Sequence, residues 1–135
     1  MILVVDASIA VKWFVREPGH ESAVDLLDRA GQLHAPDLIV AEVGNVAWAK
    51  RRRGEIGDAQ ALAMLAALPG MLERLHPAAP FAERAMELAT MLDHPFYDCL
   101  YLGLAESLGG TLATADQRFL RALRLGGFEA LSLAP

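Results

Sequence analysis

The sequence predicts an α/β fold, a three-layer α/β/α sandwich around a central parallel sheet, and three features carry that prediction. Short apolar strands alternate with helical stretches along the chain, the pattern of a sheet with helices on both faces. The first run, Ile2-Leu3-Val4-Val5, is continuously apolar, which suits a strand covered on both sides. Helical stretches separate the strands, so the connections should be right-handed crossovers.

Each element has its own justification. Residues 2–5 form a strand that runs directly into a carboxylate, Asp6, placing a negative charge at the strand's carboxyl end, the edge where open α/β sheets bind ligands. Residues 8–15 read as a helix with Ser8 as its N-cap. It is apolar almost all round, so it must bury more than one face. Pro18-Gly19 breaks the chain, and residues 21–30 make an amphipathic helix through Ala23, Val24, Leu27 and Ala30. A weak strand over 32–35 stops at Pro36. The helix over 38–53 has Glu42 as its only charge as far as Ala49, then ends in Lys50-Arg51-Arg52-Arg53 before Gly54. Residues 57–68 form an Ala- and Leu-rich helix stopped by Pro69-Gly70, and 71–75 a strand. The helix over 80–92 has Pro80 near its first turn, and Pro95 opens the next, over 96–108. Gly109-Gly110 ends that helix, 111–114 is a strand, 116–125 a last helix, and 128–133 an edge strand.

Bulk properties narrow the classes. The 135 residues read as one domain, 1–135, with 54% hydrophobic and 21% charged residues, which excludes a disordered chain. Cys99 is the only cysteine, so no intrachain disulfide can form, and a reducing, cytoplasmic setting is expected. No secretory signal or membrane span is legible. The net charge of −5 means that the surface as a whole does not attract nucleic acid; such a substrate would need a local basic patch or metal ions.

Four acids stand out. Asp6 and Asp116 each follow a short strand, Glu42 lies inside an apolar helix where a lone charge is costly, and Asp98 sits in a helix first turn. Asn45 follows Glu42 at i+3, on the same helical face. Taken singly, Asp98 could complement its helix dipole, Asp116 could be an N-cap, and Glu42 could reach an arginine. Taken together, they cannot all ionise in one place without a cation, since two charges 4 Å apart repel by about 4 kcal/mol at an effective dielectric of 20. Oxygen ligands suit Mg²⁺ or Mn²⁺, and His20, His34, His76 and His94 are too scattered for a zinc site. Such an ion polarises a phosphodiester and acidifies water, so the chemistry implied is metal-assisted phosphodiester hydrolysis.

Several motifs then carry a resemblance in chain order. Asp6-Ala7-Ser8 followed by Val11-Lys12-Trp13-Phe14, Glu42-Val43-Gly44-Asn45, the stretch from Tyr97 to Glu106, and Thr114-Ala115-Asp116-Gln117-Arg118-Phe119 resemble a PIN-domain nuclease, more narrowly a VapC-type toxin of a toxin–antitoxin pair. The resemblance implies a parallel α/β/α sandwich, Mg²⁺- or Mn²⁺-dependent cleavage of RNA, a cognate antitoxin, and a homodimer or higher assembly with it. It matches Asp6, Glu42, Asp98 and Asp116 to the acidic metal-binding set, Ser8 and Thr114 to hydroxyl positions, and Asn45 to an Asn beside the helix glutamate. Some relatives carry a further acid where this chain has Gln117, a departure that bears on a second metal site.

The remaining features have plainer readings. Lys50–Arg53 complements its helix dipole or touches RNA phosphates. Trp13 and Phe14 read as core, the alternative being a face offered to an antitoxin with apolar anchors and a basic tail. Tyr97 and Tyr101 read as core rather than stacking platforms, His94 as an exposed loop residue next to Asp98, and Cys99 as buried filler. Two rival functions compete. A phosphatase or phosphoacceptor using Asp6 is disfavoured because Ser8 stands where a second acid is needed and Lys12 and Lys50 are the only lysines. A binding module that has lost catalysis is disfavoured because all four acids are present.

Overall fold

Five parallel strands, β1 (Leu3–Val5), β2 (Leu33–Pro36), β3 (Arg74–His76), β4 (Thr111–Thr114) and β5 (Ala130–Ser132), form one sheet in the order β3-β2-β1-β4-β5. The structure, a computed structural model, describes residues 1–30 and 32–133; the side chains of Arg29 and Ala30 are outside that description, and with them the apolar position expected at Ala30. β1 is central, and Leu3, Val4 and Val5 are all buried, as a continuously apolar strand requires. It pairs with β2 through Leu3 opposite Leu33, and with β4 through Leu3 opposite Thr111 and Val5 opposite Ala113.

Helices α1 (Ala7–Phe14), α2 (His20–Ala30), α3 (Leu38–Arg52) and α4 (Asp58–Met71) connect β1 to β2 and β2 to β3. Helices α5 (Ala82–Leu92), α6 (Phe96–Leu108) and α7 (Gln117–Leu125) serve β3 to β4 and β4 to β5. Right-handed crossovers place the first group on one face and the second on the other, in keeping with α1 packing on α2 and α3, and α5 on α6 and α7. The chain steps outward from β1 to β2 and β3, then returns to the other side of β1 as β4. That reversal makes the carboxyl edge between β1 and β4 the topological switch point, where the crossovers diverge and leave a crevice. Among the described residues no helix is long and apolar enough to cross a membrane.

The differences from expectation have local causes. Asp6, not Ser8, caps α1: its backbone is extended and its Oδ1 accepts from the Ile9 amide at 3.3 Å, while Ser8 is already helical. α4 runs through Pro69 to Met71. Pro69 sits in the last turn, where its missing N–H forfeits one helical bond, and the fully buried Leu68 keeps the turn anchored. β3 therefore begins at Arg74 rather than at Met71. β2 includes Pro36, and a 3-10 turn over Ala79–Phe81 precedes α5. The apolar α1 buries Ala7, Ile9, Ala10, Val11 and Trp13, and Trp13 donates its indole N–H to the Ala23 carbonyl at 2.9 Å.

Candidate active site

Asp6 reaches the switch point because β1 ends one residue before it, and it is only 4% exposed. Ser8, one position into α1, donates its hydroxyl to Asp6 Oδ1 at 2.5 Å; Thr114, the last residue of β4, donates to Oδ2 at 2.5 Å. The hydroxyls are themselves oriented: the Ala115 amide donates to Ser8 Oγ and the Asp116 amide to Thr114 Oγ1, both at 3.0 Å. The two Asp6 oxygens are thus fixed from the two sides of the crevice, Oδ1 by the first turn of α1 and Oδ2 by the end of β4.

Asp116 follows β4 as Asp6 follows β1, and it too is an N-cap. Its Oδ1 accepts from the Arg118 and Phe119 amides that open α7. Capping and lining the cleft are compatible, since an N-cap carboxylate spends only part of its lone-pair capacity on the helix.

Glu42 and Asp98 enter from opposite layers. Glu42 projects from α3 and Tyr101 from α6, and the Tyr101 hydroxyl donates to Glu42 Oε1 at 2.7 Å. Asp98, in the first turn of α6, has its Oδ2 2.6 Å from His94 Nε2, a bond the carboxylate accepts when that nitrogen carries the proton. The His94 ring stacks on Phe119 of α7, with centroids 4.9 Å apart and planes 11° apart. A cleft of about 730 Å³ is lined by Asp6, Ser8, Glu42, Asn45, Asp98 and Asp116 together with Lys12, Lys50 and Arg53. Thr114 lies behind Asp6, fully buried.

The electrostatics show how closely the acids share this space. Burial pushes the Asp6 carboxyl up to about 6 against the pull of its hydroxyl partners, and the Asp98 charge adds to the rise. Glu42 is raised by burial and by Asp98, with the Tyr101 bond opposing. Asp98 is raised by burial and by Asp116, with His94 and Arg118 opposing. Asp98 is therefore the hub of the set, the acid to which Asp6, Glu42 and Asp116 are each coupled. Among the described residues no three His, Cys, Asp or Glu side chains are drawn into a ready-made metal cage. The carboxylates instead spread along the cleft, each held by a hydroxyl, phenol, imidazole or backbone amide. The acidic donor set is nonetheless all oxygen, which fits a hard divalent cation better than a softer metal. Cys99 is buried, and burial pushes its thiol up to about 11, which disfavours the thiolate.

Two side chains depart from their expected settings: His94 is buried rather than exposed, and Tyr97 is 63% exposed at the cleft rim. The i, i+4 spacing of His94 and Asp98 was the available signal for the first. Tyr101 is core as expected, with its hydroxyl on Glu42. Lys50 lies in the cleft wall but is tied to Glu17 and Glu55, and Arg53 to Glu55.

A parallel α/β/α sandwich with an acid-lined cleft at its switch point defines the class of protein. Within that class the chain belongs to the PIN-domain family, whose model matches residues 3–125. It is similar to Ribonuclease VapC3 of Pyrobaculum aerophilum, with 37% identity over 120 residues, 87% of this chain and 92% of that protein. Its fold is similar to the crystal structure of PAE2754 from Pyrobaculum aerophilum, at a TM-score of 0.74 and 23% identity over 98% of this chain and 84% of that one. It is likewise similar to Mycobacterium tuberculosis VapC20, described as a sarcin–ricin loop cleaving toxin, at a TM-score of 0.72 and 20% identity over 96% of this chain and 98% of that one.

Proposed function

We propose that this chain is a Mg²⁺- or Mn²⁺-dependent endoribonuclease, the toxin of a toxin–antitoxin pair, built as one domain over 1–135. The observation that carries the reading is the meeting of Asp6, Glu42, Asp98 and Asp116 along one cleft of a PIN-domain fold whose relatives are named VapC ribonucleases. These acids would hold the cation. When bound, it supplies charge compensation for a scissile phosphate and acidifies water enough for attack.

The chain's own residues prepare that chemistry. Ser8 and Thr114 lock the Asp6 carboxylate, Tyr101 restrains Glu42, and His94 restrains Asp98, so the acids need little reordering when the site is loaded. Asn45, one turn along α3 from Glu42, offers an amide to the substrate side of the cleft. Tyr97 presents an exposed ring at the rim, where an unpaired base can stack. Trp13 is buried, so α1 offers an antitoxin little apolar anchorage; large exposed apolar side chains lie instead on α3 (Trp48), α4 (Leu62), α5 (Met86 and Met91) and α7 (Leu125).

The test is RNA cleavage with and without Mg²⁺ or Mn²⁺ by wild type, Asp6→Asn and Asp98→Asn. Each substitution is expected to lower the metal-dependent rate at least 100-fold. Wild-type rates in both variants would refute the acidic mechanism.

A further inference from the structure

The cations of this acidic protein are not evenly committed. On the α1 and α3 side of the cleft, Lys12 pairs with Glu17, Lys50 with Glu17 and Glu55, and Arg53 with Glu55. Elsewhere Arg51 is held by Asp58 and Arg84 by Glu87 and Glu106. On the other side of the cleft, α7 carries Arg118, Arg121 and Arg124 within nine residues, all three exposed. None of the three forms an ion pair among the described residues.

Their spacing puts them along one side of the helix. Phe119, Leu120 and Leu123 face the core, which turns positions 118, 121 and 124 to solvent at successive i+3 steps, about 5–6 Å apart between neighbours. The stripe starts two residues beyond Asp116, and Arg118 is near enough to Asp98 to oppose the rise in its pKa. Two shallow depressions of about 340 Å³ flank it. One is bordered by Arg118 and Arg121 with Asp93 and His94, the other by Gln117, Arg121, Arg124 and Leu125. Asp93 shares the first depression without an ion pair to either arginine.

We propose that Arg118, Arg121 and Arg124 form a phosphate track that carries the RNA strand away from the cleft over α7, and not over the basic end of α3. This rests on the ribonuclease reading and adds the substrate's path to it. Uncommitted guanidiniums recognise phosphate oxygens through paired N–H donors without replacing an existing carboxylate partner. Lys50, Arg51 and Arg53 would first have to surrender theirs, and Arg52, the remaining cation of that end, forms no ion pair among the described residues but lies 5.5 Å from the centroid of the Trp48 ring. A protein partner is the weaker candidate for this stripe because Leu125 is its only large exposed apolar side chain.

The experiment measures binding of a short labelled single-stranded RNA in EDTA across a salt series, for wild type, R121Q/R124Q and R51Q, the last at the basic end of α3 but outside the cleft lining. Losing two phosphate contacts should weaken binding about tenfold at low salt and flatten the log Kd against log salt slope by about 1.4, at about 0.7 per contact on a single strand. R51Q should leave both quantities at the wild-type value. Wild-type affinity and slope in R121Q/R124Q, or equal flattening by R51Q, would overturn the track. So would a double variant that binds RNA normally but no longer binds the antitoxin, which would assign the stripe to the protein partner. Wild-type protein that binds no RNA at any salt would instead overturn the ribonuclease reading, and the track with it.

Discussion

His94 shows how a residue with no place in the acidic set can govern it. Its ring nitrogen holds Asp98, and its face rests on Phe119, whose amide is capped by Asp116. One buried ring thus ties the hub carboxylate to the helix that carries the fourth acid. Removing a hydrogen-bond partner of a metal-binding carboxylate typically costs 10–100-fold in affinity. His94→Phe keeps an aromatic ring for Phe119 but loses the bond to Asp98, so calorimetry should show Mn²⁺ binding weakened about tenfold with little change in melting temperature. His94→Gln should recover much of the affinity, which a purely packing role would not produce. At this scale the acids themselves were legible, because a carboxylate closing an apolar strand or stranded in an apolar helix is conspicuous. Of their holders, Ser8 and Thr114 were matched through the family resemblance alone, and Tyr101 and His94 were not foreseen in that role. Tyr101 serves Glu42 from 59 residues away, and nothing local to either residue announces the pair.

At the scale of elements, the alternation of strand and helix was readable because burial on both faces of β1 demands an unbroken apolar run. Boundaries were less so where two signals competed. Pro69 reads as a stop, yet packing of Leu68 carries α4 past it, and β3 moves with it. The Gly109-Gly110 pair, in contrast, is punctuation that the fold uses twice. Gly109 ends α6 with a φ of 63°, in the left-handed region, and a side chain there would meet open space. Gly110 has no such φ, but a Cβ on it would lie 2.8 Å from Ile2 Cγ2 and 2.9 Å from the Ile2 carbonyl oxygen. That carbonyl accepts from the Thr111 amide, which sets β4 against β1 and so brings Thr114 to Asp6. Gly109→Ala should therefore cost only backbone strain, about 1 kcal/mol in urea denaturation. Gly110→Ala should cost about 2–3 kcal/mol, since backbone must shift. It should also weaken Mn²⁺ binding, an effect Gly109→Ala should lack.

For the whole molecule, the acidic cleft is a destabilised region that stability measurements can read. Asp6 titrates near 3.8 in an unfolded chain and at about 6 when folded, because burial disfavours its charge. Between those values the folded state binds the extra proton, so stability falls as pH rises. The contribution is complete below about pH 4 and lost above about pH 6, amounting to about 3 kcal/mol at most. Glu42 and Asp98, also raised, act in the same direction, whereas His76, lowered mainly by burial, opposes them by favouring the higher pH. The difference between wild type and Asp6→Asn isolates the Asp6 part. In EDTA, urea denaturation from pH 4 to pH 7.5 should show the wild type losing stability relative to the variant, which keeps the shape without the charge. A cation that binds only the folded state adds stability, about 2.7 kcal/mol at 100 times its Kd. Because the acids must give up their protons to hold it, Mn²⁺ should stabilise the wild type far more at pH 7.5 than at pH 5. A pH-independent difference in EDTA would mean that Asp6 is not strained by burial. An equal Mn²⁺ effect in both proteins would mean that the ion binds elsewhere.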